Sequence, residues 1–147
     1  RVSRITRKIK EALGDVPVFL KISYFEMPSD LEFLVREVGD VVDGFSTINT
    51  IASSVRTREG EQALPGEGRL YSGICGHTIK WAGLDMVKRL KELRERNNQD
   101  FKIIGVGGVT RAEDYDTYLN AGADAVMSAT GAMWDTTLGA EIYKRKG

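Results

Sequence analysis

The 147-residue sequence has little cysteine, histidine or proline: it contains one cysteine, one histidine and three prolines. A single cysteine excludes an internal disulfide bond and a metal site built from several cysteines. A single histidine argues against a zinc site built from histidines. We therefore expect no metal, and the scarcity of cysteine favours the cytoplasm over an oxidising compartment.

The sequence also lacks an excess of charge of one sign and any long apolar run. Its 21 basic and 21 acidic side chains give a formal net charge of zero. A nucleic-acid-binding surface usually needs a basic excess, so we expect no nucleic-acid partner. No run approaches the roughly 18 apolar residues of a transmembrane helix, and no charged-then-apolar leader opens the chain. The composition predicts one soluble globular domain.

Helix-type and strand-type patterns alternate along the chain. Apolar residues at intervals of three or four predict helices, and short apolar, β-rich runs predict buried strands. A capping box is predicted at Thr110 and Glu113. Residues 49–78, with five glycines, are predicted to form a long loop that is either functional or disordered. The predicted helices are residues 2–13, 31–38, 81–96, 111–121 and 132–144, and the predicted strands are residues 16–22, 41–48, 101–106 and 123–128.

This alternation predicts an α/β fold with parallel strands joined by right-handed crossovers. Two architectures fit the pattern: a small doubly wound sheet, or part of a (β/α)8 barrel. A complete barrel needs about 250 residues, so four βα units amount to about half of one. Because the chain begins at Arg1 and not at methionine, we expect a fragment. A half-barrel has two open sheet edges, which favours association with a partner or formation of a homo-oligomer.

The strongest chemical signal is a glycine pair, Gly107 and Gly108, directly after the predicted strand 101–106. Glycine lets backbone N–H groups approach an anion without obstruction by a Cβ atom, and the following helix points its positive end to the same place. The next strand ends in a similar run of small residues, 128–131. Together the two turns favour one shared phosphate site, which barrels form after their last two strands. The alternative is two tight turns without a ligand.

Three further positions combine polarity with a strand end. Lys21 lies in an otherwise apolar strand, where a lysine is costly unless it faces a polar pocket or reaches solvent. Asn49 and Thr50 follow the second strand, and an asparagine there can hydrogen-bond a heterocycle or form a local turn. A separate signal is residues 71–76, which close the long loop just before a helix. The glycine spacing there suggests either a backbone packed against a flat ligand or a hinge.

Five stretches, taken in order, resemble the C-terminal half of the dihydroorotate dehydrogenase family of FMN-dependent (β/α)8 barrels. The flavin domain of dihydropyrimidine dehydrogenase is similar, so the substrate is not fixed by this resemblance. It implies a parallel (β/α)8 TIM barrel, of which residues 1–147 form the last four βα units as one domain. The matching stretches are residues 17–22, 43–50, 72–76, 103–109 and 121–126 with 129–130.

Carried over position by position, the resemblance implies a cofactor and substrate site. Lys21 would lie at the pyrimidine end of the flavin, where a cation stabilises negative charge on the reduced ring. Asn49 would bind the pyrimidine substrate, with Thr50 beside it, and the backbone of Gly73 would lie along the flavin. The implied ligands of the FMN phosphate are Gly107, Gly108, Ala129 and Thr130.

The sequence departs from the family pattern at Ser72 and Ala129, each of which stands where the family usually has glycine. The family's general base belongs to the other half of the barrel, and Cys75 does not occupy its position. The expected function is oxidation of dihydroorotate, or a related dihydropyrimidine, by hydride transfer to FMN in pyrimidine biosynthesis, with this segment alone inactive. The alternatives are a phosphate-binding lyase or isomerase without flavin, and a non-catalytic half-barrel that binds an anion or a protein.

Overall fold

A computed structural model describes residues 1–145 of the chain, in which helices and strands alternate. The helices are α1 (Val2–Leu13), α2 (Pro28–Val38), α3 (Lys80–Arg96), α4 (Ala112–Ala121), α5 (Thr130–Trp134) and α6 (Leu138–Lys144), and a 3-10 turn (His77–Ile79) precedes α3. The strands are β1 (Phe19–Ile22), β2 (Gly44–Thr47), β3 (Ile51–Ser54), β4 (Tyr71–Ile74), β5 (Lys102–Val106) and β6 (Ala125–Met127). Within residues 1–145, no helix has the length and apolar content needed to cross a bilayer.

Four of the strands form one parallel sheet in the order β1-β2-β5-β6. These are the four strands that the sequence predicts, so the prediction of an α/β fold with a parallel sheet is confirmed. Each strand lies beside its predecessor among the four, and the order does not reverse. This arrangement is consistent with a segment of a barrel, and β1 and β6 leave one open edge each.

The hydrophobic core lies on one face of this sheet. Phe45 and Ile103 are fully buried there with helix residues such as Leu31 and Leu90. Strand side chains alternate between the two faces. On the opposite face Lys21, Ala125 and Met127 are exposed, Met127 to 54%, and Ile104 and Val106 are half-buried. Parallel sheets ordinarily have both faces covered, so the second face of this sheet is open for further structure.

The segment predicted as a loop contains an antiparallel hairpin, in which β3 pairs with β4. The prediction of a continuous loop is therefore wrong for these eight residues of β3 and β4. Three of them are serines (Ser53, Ser54 and Ser72), and β3 is largely exposed. A strand pair without an apolar face lacks the periodicity that reveals a strand in a sequence.

The last predicted helix, residues 132–144, is divided into α5 and α6. The side chain of Asp135 causes the division: its Oδ1 accepts hydrogen bonds from the backbone N–H of Thr137 at 2.8 Å and from the Thr137 hydroxyl at 2.7 Å. An aspartate that binds the backbone two residues on favours a turn over a continuous helix.

Candidate functional site

A cavity of about 150 Å³ lies at the carboxyl ends of the parallel strands. Segments that follow β2, β4, β5 and β6 meet there, together with one residue of β1. Parallel α/β folds bind their ligands at this end of the sheet because the loops after the strands converge there. The lining residues are Lys21, Ile48, Asn49, Thr50, Cys75, Gly76, Ile79, Val106, Gly107, Gly108, Val109, Met127, Ser128, Ala129, Thr130 and Gly131.

Seven of the eight predicted site residues line this one cavity. They are Lys21, Asn49, Thr50, Gly107, Gly108, Ala129 and Thr130. The sequence separates the first and last of them by more than a hundred positions, and the parallel sheet brings them together. Their individual roles in binding stay predictions.

The eighth predicted residue, Gly73, lies in β4 and is not among the lining residues. Its neighbour is Thr50: a Cβ atom at position 73 would overlap the Thr50 hydroxyl and would lie 2.9 Å from the Thr50 Cβ. Glycine is therefore needed here for close packing of the hairpin against the Asn49–Thr50 segment. Contact between Gly73 and a flavin stays a prediction.

The turns after β5 and β6, residues 107–110 and 128–131, lie side by side, and we call them the paired turns. The Ser128 hydroxyl donates a hydrogen bond of 2.7 Å to the carbonyl oxygen of Val109. A Cβ atom at Gly131 would lie only 3.0 Å from the Cα of Thr110. The two turns are therefore in direct contact, and both line the cavity.

Gly107 and Gly108 give the first of these turns its shape. Their φ angles are +123° and +67°, a region in which residues with a side chain are strained. A Cβ atom at Gly108 would also lie 2.6 Å from the Cβ and 2.8 Å from the Cα of Lys80. No hydrogen bond within residues 1–145 engages the backbone N–H of either glycine. These two donors are available to a ligand.

The far end of the same turn is held by Asp114. Its Oδ2 accepts the backbone N–H groups of Thr110 at 2.8 Å and of Arg111 at 3.0 Å, and its Oδ1 accepts a hydrogen bond from the Lys80 ammonium. The predicted cap of Thr110 with Glu113 is therefore wrong. Because α4 begins at Ala112 and not at residue 111, the third residue of the helix is Asp114 and not Glu113. Its carboxylate accepts the backbone N–H groups just before the helix.

The pKa of Asp114 is set by two opposing effects, burial of the carboxylate and the hydrogen bonds that it accepts. Burial of the carboxylate raises its pKa, but the hydrogen bonds from Lys80, Thr110 and Arg111 outweigh burial and hold the pKa below the ordinary 3.8. A carboxylate with a depressed pKa stabilises the fold above its ordinary pKa and loses that contribution as the pH falls through its folded-state value.

We expect Asp114→Asn to lower the free energy of unfolding by about 2–3 kcal/mol at pH 7, because it leaves Lys80 without its charged partner. Denaturant unfolding of both proteins across pH measures this. The difference should persist down to the ordinary aspartate pKa of 3.8 and shrink below it, as the wild-type carboxylate takes up its proton. Asp116→Asn is the matched control on the same helix: Asp116 is 48% exposed, and its loss should cost less than about 0.5 kcal/mol. An Asp114 effect that is independent of pH would contradict the assignment.

Lys21 is exposed and lies in β1 in register with Ser46 of β2. The sequence suggests a strand buried on both faces, but β1 is an edge strand whose lysine projects from the open face. No carboxylate within residues 1–145 pairs with it. Its positive charge is therefore free to act on a ligand in the cavity.

Apolar side chains form much of the rest of the cavity wall, and sequence reasoning did not assign them to the site. Three of them, Ile48, Ile79 and Val109, are at most 5% exposed. The thiol of Cys75 lies at the rim and accepts a hydrogen bond of 3.3 Å from the Thr130 hydroxyl. An apolar wall beside free N–H donors suits a ligand that combines a flat ring with an anionic group.

Comparison with known proteins identifies the family. The dihydroorotate dehydrogenase family model matches residues 1–145. The chain belongs to this family. Dihydroorotate dehydrogenases are FMN-dependent, and the amide donors, apolar wall and free cation of the cavity are suited to a flavin mononucleotide.

Individual dihydroorotate dehydrogenases align with most of the chain. It is 36% identical over 123 residues to dihydroorotate dehydrogenase of Dictyostelium discoideum, covering 82% of the chain and 33% of that protein. It is 32% identical over 145 residues to the catalytic subunit of dihydroorotate dehydrogenase B (NAD(+)) of Methanocaldococcus jannaschii, which covers 96% of the chain and 42% of that subunit. The chain thus spans between a third and about two fifths of the length of these relatives.

Proposed function

We propose that this chain is the C-terminal part of a flavin-dependent oxidoreductase that oxidises dihydroorotate, or a closely related dihydropyrimidine, by hydride transfer to FMN. One observation carries the proposal: a single cavity at the carboxyl ends of the strands is lined by seven of the residues that the family resemblance singles out. Membership of the dihydroorotate dehydrogenase family supports the same conclusion.

Each part of the cavity has a role in this proposal. The N–H groups of Gly107 and Gly108, with the adjoining Ala129–Thr130 segment, would hold the FMN phosphate. The ammonium of Lys21 would stabilise negative charge near the ring, and the Asn49 amide would donate to and accept from a pyrimidine substrate. When bound, FMN supplies the hydride acceptor. The general base that removes the substrate proton would lie outside this segment.

We also propose that the segment completes a (β/α)8 barrel with chain that precedes it. The apolar side chains of α1 point outward: Val2, Ile5, Ile9 and Leu13 are between 43% and 52% exposed, whereas Thr6 is buried. The adjacent edge of β1 is open, and the second face of the sheet is uncovered. A preceding parallel strand would pair with β1, lie beneath the apolar side of α1 and begin to enclose the sheet.

Anaerobic flavin spectroscopy of the protein expressed from its complete reading frame tests the function. We expect FMN to bind, which quenches or shifts its fluorescence, and dihydroorotate to bleach the bound flavin. If dihydrouracil bleaches it and dihydroorotate does not, the substrate is a different dihydropyrimidine. A protein that remains colourless and does not respond to added FMN would contradict the flavin proposal and favour a phosphate-binding lyase or isomerase.

A further inference from the structure

Tyr118 is a fully buried residue of α4 whose hydroxyl reaches the first of the paired turns. Its hydroxyl donates a hydrogen bond of 2.6 Å to the carbonyl oxygen of Gly107. Burial, with a smaller effect from the charge of Asp114, raises the pKa of Tyr118 above its ordinary value of 10.0. The hydroxyl therefore keeps its proton at neutral pH and can donate this hydrogen bond.

Two glycines make room for the Tyr118 ring. A Cβ atom at Gly83 of α3 would overlap the tyrosine hydroxyl, and one at Gly105 of β5 would lie 3.0 Å from the ring carbon Cε1. The ring therefore fills a slot between α3 and β5 that no residue with a side chain would leave open. A ring confined in this way cannot move its hydroxyl away from Gly107 without repacking the core.

The hydrogen bond fixes a peptide unit that faces the cavity. The Gly107 carbonyl and the Gly108 N–H belong to the same planar peptide, and in a trans peptide they point in opposite directions. Because Tyr118 holds the carbonyl toward the protein interior, the N–H is directed away from the core, toward the cavity that both glycines line. Without that hydrogen bond, a peptide between two glycines can rotate at little steric cost.

We propose that Tyr118 is a positioning residue for phosphate binding: it orients the Gly107–Gly108 peptide so that its N–H, and not its carbonyl oxygen, meets the phosphate. The inference rests on the proposed FMN function and adds to it a residue that does not itself contact the ligand. In the rotated peptide, the Gly107 carbonyl oxygen would face the phosphate and repel it.

Tyr118→Phe tests this, because it keeps the ring in its slot and removes only the donor. We expect the Kd for FMN to rise about tenfold, the usual effect of losing one hydrogen bond to a charged group, while the Kd for riboflavin, which has no phosphate, is unchanged. Both are measured by flavin fluorescence titration of the complete protein. Tyr143→Phe is the matched control: Tyr143 is 78% exposed, and its loss should change neither Kd.

The comparison of the two flavins separates positioning from general loosening of the fold. If Tyr118→Phe weakens FMN and riboflavin equally, or weakens neither, the inference is overturned. If the wild type binds neither flavin, the flavin proposal falls, and inorganic phosphate becomes the probe. Phosphate should then raise the thermal unfolding midpoint of the wild type more than that of Tyr118→Phe, and equal protection, or none, would overturn the role of Tyr118.

Discussion

Replacement of Gly107 by valine is expected to weaken FMN binding by about 100-fold, which corresponds to about 2.7 kcal/mol. Valine cannot adopt the φ of +123° at this position without strain, so the turn must rearrange and its N–H groups lose their orientation. A Cβ atom there would also lie 3.3 Å from Ile48 and 3.5 Å from Ile79, so the branched side chain extends into the apolar part of the cavity. Loss of two hydrogen bonds to a charged group accounts for an effect of this size.

Gly14→Val is the control for backbone strain. Gly14 also has a positive φ, of +58°, and a Cβ atom there would meet nothing within 4 Å. We expect this variant to lose stability but to bind FMN as the wild type does. Fluorescence titration and thermal unfolding of both variants are the measurements. An unchanged FMN affinity in Gly107→Val would exclude this turn from the phosphate site.

Replacement of Lys21 by alanine is expected to slow reduction of bound flavin by dihydroorotate about 100-fold, with a smaller effect on substrate affinity. The Lys21 ammonium lines the cavity and has no carboxylate partner within residues 1–145. Its charge can therefore stabilise the negative charge that develops as the hydride is delivered. A unit charge about 4 Å away contributes up to about 4 kcal/mol at an effective dielectric constant near 20, and about 2.7 kcal/mol gives a 100-fold effect.

Lys102→Ala is the matched control for Lys21. Lys102 pairs in register with Gly44, at the amino end of the sheet, and forms an ion pair of 3.0 Å with Asp100. Its removal should leave the reduction rate unchanged in anaerobic stopped-flow traces. If Lys21→Ala also gives wild-type traces, Lys21 has no electrostatic role in the reaction.

The sequence predicts the parallel sheet and most of the cavity for a simple physical reason. Apolar runs such as residues 101–106 are long enough to identify each buried strand, and alternation with helices makes those strands parallel. Parallel strands end at the same edge, so small and polar residues just after them, such as Gly107 and Asn49, are expected to meet. The cavity lining agrees with that expectation.

Contacts that join distant segments could not be predicted in this way. The close approach of Gly73 to Thr50 depends on how the hairpin packs against the end of β2. The hydrogen bond from Tyr118 to Gly107 depends on how closely α4 packs against β5. The cap at Asp114 depends on a one-residue difference in where a helix begins. None of these three leaves a periodic or local pattern in the sequence.

A crystal structure of the complete protein with FMN tests the central claim most directly. We predict that the phosphate lies between the paired turns, with its oxygens about 3 Å from the backbone nitrogens of Gly107 or Gly108 and of Ala129 or Thr130, and with the ring against Ile48 and Met127. A phosphate bound elsewhere, or paired turns whose N–H groups are satisfied by the protein's own preceding segments, would contradict the account.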